Sequence, residues 1–127
     1  MNPEELRRAM QRLPVRGRRN VKPETEWLNF VRSRLKYAFG RHCRVIKILG
    51  GIGQEVGIAD LIGCIRGTAV ALELKTPSGR HKLSPAQADF LSGWKAAGGF
   101  MAVIDSQESL EAVIDYFKPQ QETLFKQ

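Results

Sequence analysis

The stretch ADLIGCIRGTAVALELK, residues 59–75 of the 127-residue chain, decides the fold. It contains two runs rich in Ile, Leu, Val and Ala, residues 59–65 and 68–75, which are typical of β-strands. Arg66 and Gly67 separate the two runs, and such a short, glycine-containing connection favours the tight turn of an antiparallel hairpin. The stretch therefore predicts a β-hairpin.

The register of this hairpin brings two carboxylates together. If Ile65 and Thr68 flank the turn, pairing the strands outward places Asp60 directly across from Glu73. Directly opposed residues have Cβ atoms about 4.5 to 5.5 Å apart, and like charges at this distance destabilise a sheet. A bulge at Gly67 is the alternative, because it slips the register by one residue and sends the two carboxylates to opposite faces.

The second strand of the hairpin also carries a cation. Alternation places Glu73 and Lys75 on one face, about 6 to 7 Å apart along the strand. The apolar residues Val70, Leu72 and Leu74 face the other way. A Glu-x-Lys pair by itself is typical of a surface ion pair. Here the pair lies in a run of Val, Ala and Leu, where charged side chains need partners or a function.

A divalent cation is a direct way to offset the repulsion between Asp60 and Glu73. Two carboxylates and a nearby backbone carbonyl provide oxygen ligands only, and Mg²⁺ prefers such ligands together with water and phosphate oxygens. The hairpin therefore predicts a magnesium site on one face of the sheet.

The flanking sequence predicts an α/β domain. A helix is expected from Glu24 to about Gly40, because its apolar residues recur at helical spacing: Trp27, Leu28, Val31 and Leu35. Its other faces carry Arg32, Arg34 and Lys36. A second helix begins with Ser84 as N-cap and Pro85 at its first position. Trp27 and Trp94 are both expected in the core.

The complete order of predicted elements is αβββαβα, a mixed central sheet flanked by helices. The predicted segments are helix 24–40, strands 43–49, 59–65 and 68–75, helix 84–98, strand 100–105 and helix 106–117. The loop GGIGQEVG, residues 50–57, lacks the helix and the GK[ST] sequence of a phosphate-binding loop. It is either a plain connector or a loop that approaches DNA.

Length and composition restrict the class of protein. The chain fits one domain, and 43% hydrophobic with 26% charged residues excludes a disordered or membrane-embedded protein. The N-terminal sequence lacks the apolar core of a signal peptide, so a cytoplasmic location, without membrane contact, is expected. Cys43 and Cys64 are too few for a disulfide framework and are expected as reduced thiols.

Positive charge is concentrated at the N-terminus. Residues 1–22 contain seven basic and two acidic residues, whereas the whole chain has a net charge of +7. We interpret residues 1–22 as a basic arm and residues 23–127 as the folded domain. An arginine-rich arm favours a polyanionic partner, and the residues expected to bind DNA are Arg16, Arg18 and Arg19. A solubilising tail is the alternative interpretation.

Four ordered motifs resemble those of a nuclease family: GIAD ending at residue 60, ALELK (71–75), PSGRHKLSPAQ (77–87) and GGFMAVID (98–105). Together they resemble the PD-(D/E)XK superfamily, and within it the small VRR-NUC domain nucleases, including stand-alone phage-type forms. The resemblance covers roughly residues 24–106. It implies a restriction-endonuclease-like αβββαβ core. One departure is Ala59, which stands where the family's motif usually has proline.

The resemblance implies a role for each site residue. Asp60 and Glu73 bind the catalytic metal, and the residue between Glu and Lys, here Leu74, contributes its main-chain carbonyl. Lys75 positions or activates the attacking water, and Gln87 reaches the site from the following helix. A glutamate of the first helix also belongs to the family's pattern; Glu24 fits best by its spacing, and Glu26 is the alternative.

The function expected from this resemblance is a Mg²⁺-dependent, structure-selective DNA endonuclease acting on branched DNA or Holliday junctions, with Mn²⁺ able to substitute. The same resemblance implies a bacterial or phage-infected host cell. The loop residues Arg80, His81 and Lys82 are expected to contact phosphate. Two alternatives stay open: a non-catalytic DNA-binding module with the same fold, and a restriction-type, sequence-specific endonuclease.

A homodimer is expected because symmetric cleavage of a four-way junction needs two identical sites. Apolar residues near the C-terminus offer material for an interface: Val113, Tyr116, Phe117, Leu124 and Phe125. Packing of the same residues on the protein's own sheet is the alternative.

Overall fold

A computed structural model of the chain describes residues 2–11, 22–50, 55–77 and 82–119. The helices are α1 (Pro3–Gln11), α2 (Pro23–Phe39), α3 (Pro85–Ala96) and α4 (Gln107–Phe117), with one 3-10 turn at Gly40–His42. The strands are β1 (Cys43–Lys47), β2 (Leu61–Ile65), β3 (Thr68–Leu74) and β4 (Phe100–Ile104).

The four strands form one mixed sheet in the order β1-β2-β3-β4. β1, β2 and β3 pair antiparallel, and β4 lies parallel to β3. A parallel neighbour requires a crossover connection, and α3 provides it. The predicted mixed α/β sheet flanked by helices is confirmed.

The β2–β3 hairpin has the predicted register. Its turn residues Arg66 and Gly67 both have positive φ, 48° and 88°, as a type I′ hairpin turn requires. Ile65 pairs with Thr68, and the ladder continues without a bulge to Leu61 and Leu72. The alternative with a bulge at Gly67 is therefore wrong.

Each face of the sheet has its own apolar core. On one face, α2 and α4 pack over the side chains of Val70 and Leu72. On the other face, Leu91 of α3 packs against Ala71 and Ala59. Side chains alternate along β3, so Val70, Leu72 and Leu74 face α2 and α4, and Glu73 lies on the opposite face, as predicted.

The two tryptophans differ in burial. Trp27 lies in the core as predicted, and its indole Nε1 donates a hydrogen bond of 3.1 Å to the carbonyl of Ile104. Trp94 is half-buried beside Leu91 and stacks on Phe90. Because Trp27 is held at the end of β4, it fixes the first turns of α2 against the sheet.

Arg34 departs from its predicted position on a polar face of α2. It is buried, and its guanidinium forms a 2.7 Å ion pair with Glu111 of α4. The ion pair explains the difference: a buried cation needs an opposite charge, and here a carboxylate on a neighbouring helix provides it. Arg34 therefore ties α2 to α4.

Two of the five C-terminal residues considered for a dimer interface are used within the chain. Val113 and Phe117 are buried in the core under α2, so they do not form an external apolar patch. Tyr116 remains exposed. Leu124 and Phe125 lie outside the described residues. In the described ranges, no helix is long and apolar enough to cross a membrane.

Gly63 of β2 gives the first prediction, because β1 crosses it closely. A Cβ atom at this position would lie 1.9 Å from the carbonyl oxygen of Arg44. We expect Gly63→Ala to lower the free energy of unfolding by about 1 to 3 kcal/mol, the usual cost of overpacking. Urea denaturation measures this effect.

Gly93→Ala is the matched control. No atom lies within 4 Å of a Cβ built at Gly93, which is exposed in α3. The same substitution there should raise stability by up to about 1 kcal/mol, since alanine favours helix more than glycine does. Equal effects of the two substitutions would contradict the close approach at Gly63.

Candidate functional site

The β2–β3 register ends with Leu61 opposite Leu72, and its continuation by one residue places Asp60 opposite Glu73. Their carboxyl groups interact at this end of the sheet. The two-residue turn makes Ile65 and Thr68 a hydrogen-bonded pair, so alternation makes Asp60 and Glu73 a pair without backbone bonds between them. Side chains of such a pair lie closer together, with Cα atoms about 4.5 Å apart. The hairpin therefore sets the two carboxylates side by side.

Asp60 is fixed by its backbone and by its side chain. Its carbonyl accepts a 2.9 Å hydrogen bond from the N–H of Ile48, which extends the β1–β2 ladder by one residue. Its Oδ2 accepts a 2.8 Å hydrogen bond from the N–H of Leu74. The side chain of Asp60 also interacts with the carboxyl group of Glu73.

Glu73 is a buried carboxyl group with incomplete hydrogen bonding. Only 2% of the residue is exposed, and its Oε2 has no hydrogen-bond partner among the described residues. The pKa of Glu73 is raised from 4.5 to about 8, first by burial and then by the neighbouring Asp60 carboxyl group, while the charge of Lys75 partly offsets the rise. A buried polar atom without a partner is costly, so this oxygen is suited to a ligand.

Lys75 is held beside this pair by Gln87. The ammonium Nζ of Lys75 donates a 3.2 Å hydrogen bond to Oε1 of Gln87. The same Oε1 accepts a 3.0 Å bond from the N–H of Ser84, as part of the capping box that begins α3. The helix start therefore fixes Gln87, and Gln87 fixes the lysine.

The loop before β2 packs closely against the first turn of α3. Gly57 has a φ of 86°, and a Cβ at this position would lie 2.4 Å from the carbonyl oxygen of Ala86 and 2.8 Å from the nitrogen of Gln87. Only glycine allows this approach without strain. Residues 51–54 of the same loop lie outside the described residues.

The carbonyl of Leu74 also faces the carboxylates. Within a strand the N–H and C=O of one residue point to the same side. Since the N–H of Leu74 points to Asp60, its carbonyl points to that side as well. The side chain packs on the opposite face, against the α2 core. Strand geometry therefore makes the Leu74 carbonyl the backbone oxygen expected on the side of Asp60.

Glu24 and Glu26 lie in the first turn of α2, and both are exposed. Glu24 precedes the core residue Trp27 by one turn. Ile104, which accepts the Trp27 bond, also accepts a 3.0 Å hydrogen bond from the N–H of Lys75. Glu24 is thus at the same end of the sheet as the site. Within the described ranges, neither glutamate forms a hydrogen bond or ion pair with the two carboxylates.

The residues expected to contact DNA are mostly outside the structure's description. Lys82 is exposed just before α3. The others, Arg16, Arg18, Arg19, Arg80 and His81, lie outside the described residues.

The donor set fits a hard divalent cation. In the ranges that the structure describes, no group of three or more His, Cys, Asp or Glu side chains could hold a metal. Mg²⁺ needs fewer, because it is usually held by one or two carboxylates and keeps several waters. The Oε2 of Glu73 without a partner, the neighbouring Asp60 and the Leu74 carbonyl provide such a set.

Sequence reasoning missed two features of the site. The dual role of Gln87 was visible in Ser84-x-x-Gln87, the spacing of a capping box. The contact of Gly57 with α3 has no local sequence signal, because it joins two distant segments. In comparisons with known proteins, no family model matches the chain and no curated protein matches it significantly.

Glu73 gives a prediction about stability and pH. A carboxyl whose pKa is raised on folding binds more protons in the folded than in the unfolded protein between its ordinary value of 4.5 and about 8. The free energy of unfolding therefore falls as pH rises through this window, by at most about 1.4 kcal/mol per pH unit. Urea denaturation in EDTA should show this fall, and Glu73→Gln should remove it.

Glu108→Gln is the matched control, since Glu108 is exposed in the first turn of α4. This variant should keep the pH dependence of the wild-type protein. Identical slopes for the wild-type protein and Glu73→Gln would contradict the raised pKa.

Proposed function

We propose that the chain is a Mg²⁺-dependent endonuclease that hydrolyses phosphodiester bonds in DNA. The observation that carries this proposal is the pairing of Asp60 with the buried, incompletely bonded Glu73, next to Lys75. A structural ion pair between Glu73 and Lys75 would not need Asp60 opposite Glu73. Two carboxylates in directly opposed positions destabilise a sheet. A bound cation would replace the proton that Glu73, with its pKa of about 8, otherwise keeps at neutral pH, and would compensate the charge of both carboxylates.

Each residue has a role in this proposal. Asp60 and Glu73, with the Leu74 carbonyl, hold Mg²⁺, and Mn²⁺ is able to replace it. When bound, the metal polarises the scissile phosphate and lowers the pKa of a water molecule. Lys75, oriented by Gln87, places a positive charge where the phosphate gains negative charge during attack. Glu24 stays a candidate for a further contact at this end of the sheet.

The proposed substrate is branched DNA, including four-way junctions. Selectivity for branched structure rests on the resemblance of the motifs to the VRR-NUC nucleases, and affinity for polyanions is supported by the net charge of +7. Lys82 and the arm residues Arg16, Arg18 and Arg19 are the proposed backbone contacts, with Arg80 and His81 from the loop before α3.

The third prediction concerns cleavage. Asp60→Asn and Glu73→Gln should each abolish Mg²⁺-dependent cleavage, because each removes a metal-binding charge. Both variants should bind DNA as well as the wild-type protein or better, because the repulsion between carboxylate and phosphate is relieved. Labelled linear, flapped and four-way DNAs, incubated with Mg²⁺ or with EDTA, provide the measurement.

The matched controls for this experiment are Asp115→Asn and Glu108→Gln on α4, both exposed. They make the same chemical changes away from the site and should cleave like the wild-type protein. Full cleavage by Asp60→Asn would overturn the assignment. DNA binding without any Mg²⁺-dependent cleavage would favour a non-catalytic module, and cutting of linear duplex at one fixed sequence would favour a restriction-type enzyme.

The fourth prediction concerns assembly. One chain has one set of Asp60, Glu73 and Lys75, whereas resolution of a four-way junction requires two cuts on opposed strands. A two-fold dimer presents two identical sites to such a substrate. Light scattering should therefore give about twice the chain mass of 14.3 kDa. A monomer, both free and on junction DNA, would contradict junction resolution but remain consistent with nicking or flap cleavage.

A further inference from the structure

A groove lined by cations lies at the other end of β1 from the candidate site. It encloses about 570 Å³ between the later turns of α2 and the start of β1. Four of its lining residues are cationic: Arg32, Lys36, Arg41 and Arg44. We refer to these four as the basic groove. No acidic residue of the described part of the chain lines it.

The four cations of the basic groove are not used by the fold. All four residues are exposed, and none forms an ion pair within the described residues. Arg34 of the same helix provides the contrast, because it is buried and paired with Glu111. Four like charges around one concavity repel each other, so the groove is suited to an anion with several charges.

The basic groove is connected to the candidate site by an open strip of sheet. Pairing places Arg44 opposite Cys64, and Cys64 opposite Ala69, on the face that carries Asp60 and Glu73. The residues of this strip are not covered by α3: Cys64 and Ala69 are exposed, and Ile46 is 56% exposed. The groove itself opens on the α2 face, because Cys43 and Val45 pack against the α2 core. A chain-like ligand would therefore pass around the edge strand β1 at Arg44 to reach the carboxylates.

The spacing fits a nucleic-acid backbone. Ile48, which bonds to Asp60, lies four residues along the chain from Arg44. At about 3.4 Å per residue the two ends are roughly 14 Å apart. A DNA strand has one phosphate per about 3.4 Å of helix axis, and because the strand also winds around the axis, neighbouring phosphates lie about twice that distance apart. The same length therefore corresponds to about two nucleotides of one strand.

We propose that the basic groove is a binding site for the phosphate backbone of DNA, and that it holds the strand about two nucleotides from the bond that is cut. This proposal rests on the proposed nuclease function. A membrane surface is the less favoured occupant, because an interfacial site needs large apolar or aromatic side chains, and the groove has only Cys43 and Val45 besides polar residues and glycine.

The first experiment measures the salt dependence of binding without hydrolysis. Binding of linear duplex DNA is followed in EDTA for the wild-type protein, for Arg32→Gln/Arg44→Gln and for Lys95→Gln. The double variant should reduce the slope of log affinity against log salt by up to about 1.8, since each lost phosphate contact contributes about 0.9. Lys95 is exposed at the end of α3 and lines no part of the groove, so its variant should keep the wild-type slope.

The second experiment locates the contact. A single neutral methylphosphonate is moved along the DNA strand relative to the cleaved bond. The wild-type protein should lose affinity most when the neutral group lies about two nucleotides from that bond on one side. The double variant should be insensitive to the neutral group at that position, because the contact is already absent.

Failure of this proposal is distinguishable from failure of the nuclease function. Normal cleavage with an unchanged salt slope in the double variant overturns the basic groove and leaves the nuclease standing. A reduced slope in the double variant, with no Mg²⁺-dependent cleavage by the wild-type protein, supports backbone binding and contradicts the nuclease function. If the double variant loses binding to phosphatidylserine vesicles but keeps the DNA affinity of the wild-type protein, the basic groove is not a DNA-binding site.

Discussion

The opposition of Asp60 and Glu73 across β2 and β3 is the constraint on which the site depends. It follows from a two-residue turn, because Arg66 and Gly67 both adopt positive φ and thereby fix the register of the whole hairpin. A shift of one residue would turn Glu73 toward the α2 core. The positions of the Leu74 amide and carbonyl depend on the same register, since the amide bonds to Asp60.

Burying Glu73 beside Asp60 is electrostatically unfavourable. A carboxyl group that is 2% exposed, next to a second carboxylate, is kept neutral by burial over much of the ordinary pH range, as its raised pKa shows. The surrounding structure holds the arrangement: Leu91 and Ala71 pack beside it, and the capping box of α3 anchors the lysine through Gln87. In the proposed nuclease, this cost is offset when a cation binds.

In the proposed nuclease, the basic groove binds the DNA backbone, and a separate site with Asp60 and Glu73 hydrolyses the phosphodiester bond. Its cations lie at one end of β1, and the carboxylates lie at the other, with an exposed face of the sheet between them. Separating the cations from the carboxylates is favourable, because the protein must bind a polyanion although its own site contains two carboxylates. Cations placed far from the metal attract the strand without competing for the metal's ligands.

The sequence by itself determined the order of the elements from α2 onward, the hairpin register and the two faces of β3, because these depend on local alternation, turn chemistry and helix caps. The helix α1 is not part of the predicted order. The sequence also brought Asp60, Glu73 and Lys75 to one face for the same local reason. Only the tertiary structure decided that Arg34 is buried with Glu111, that Gly57 touches the start of α3 and that α2 and β1 form a basic groove. These features join segments far apart in the chain, so no local pattern encodes them.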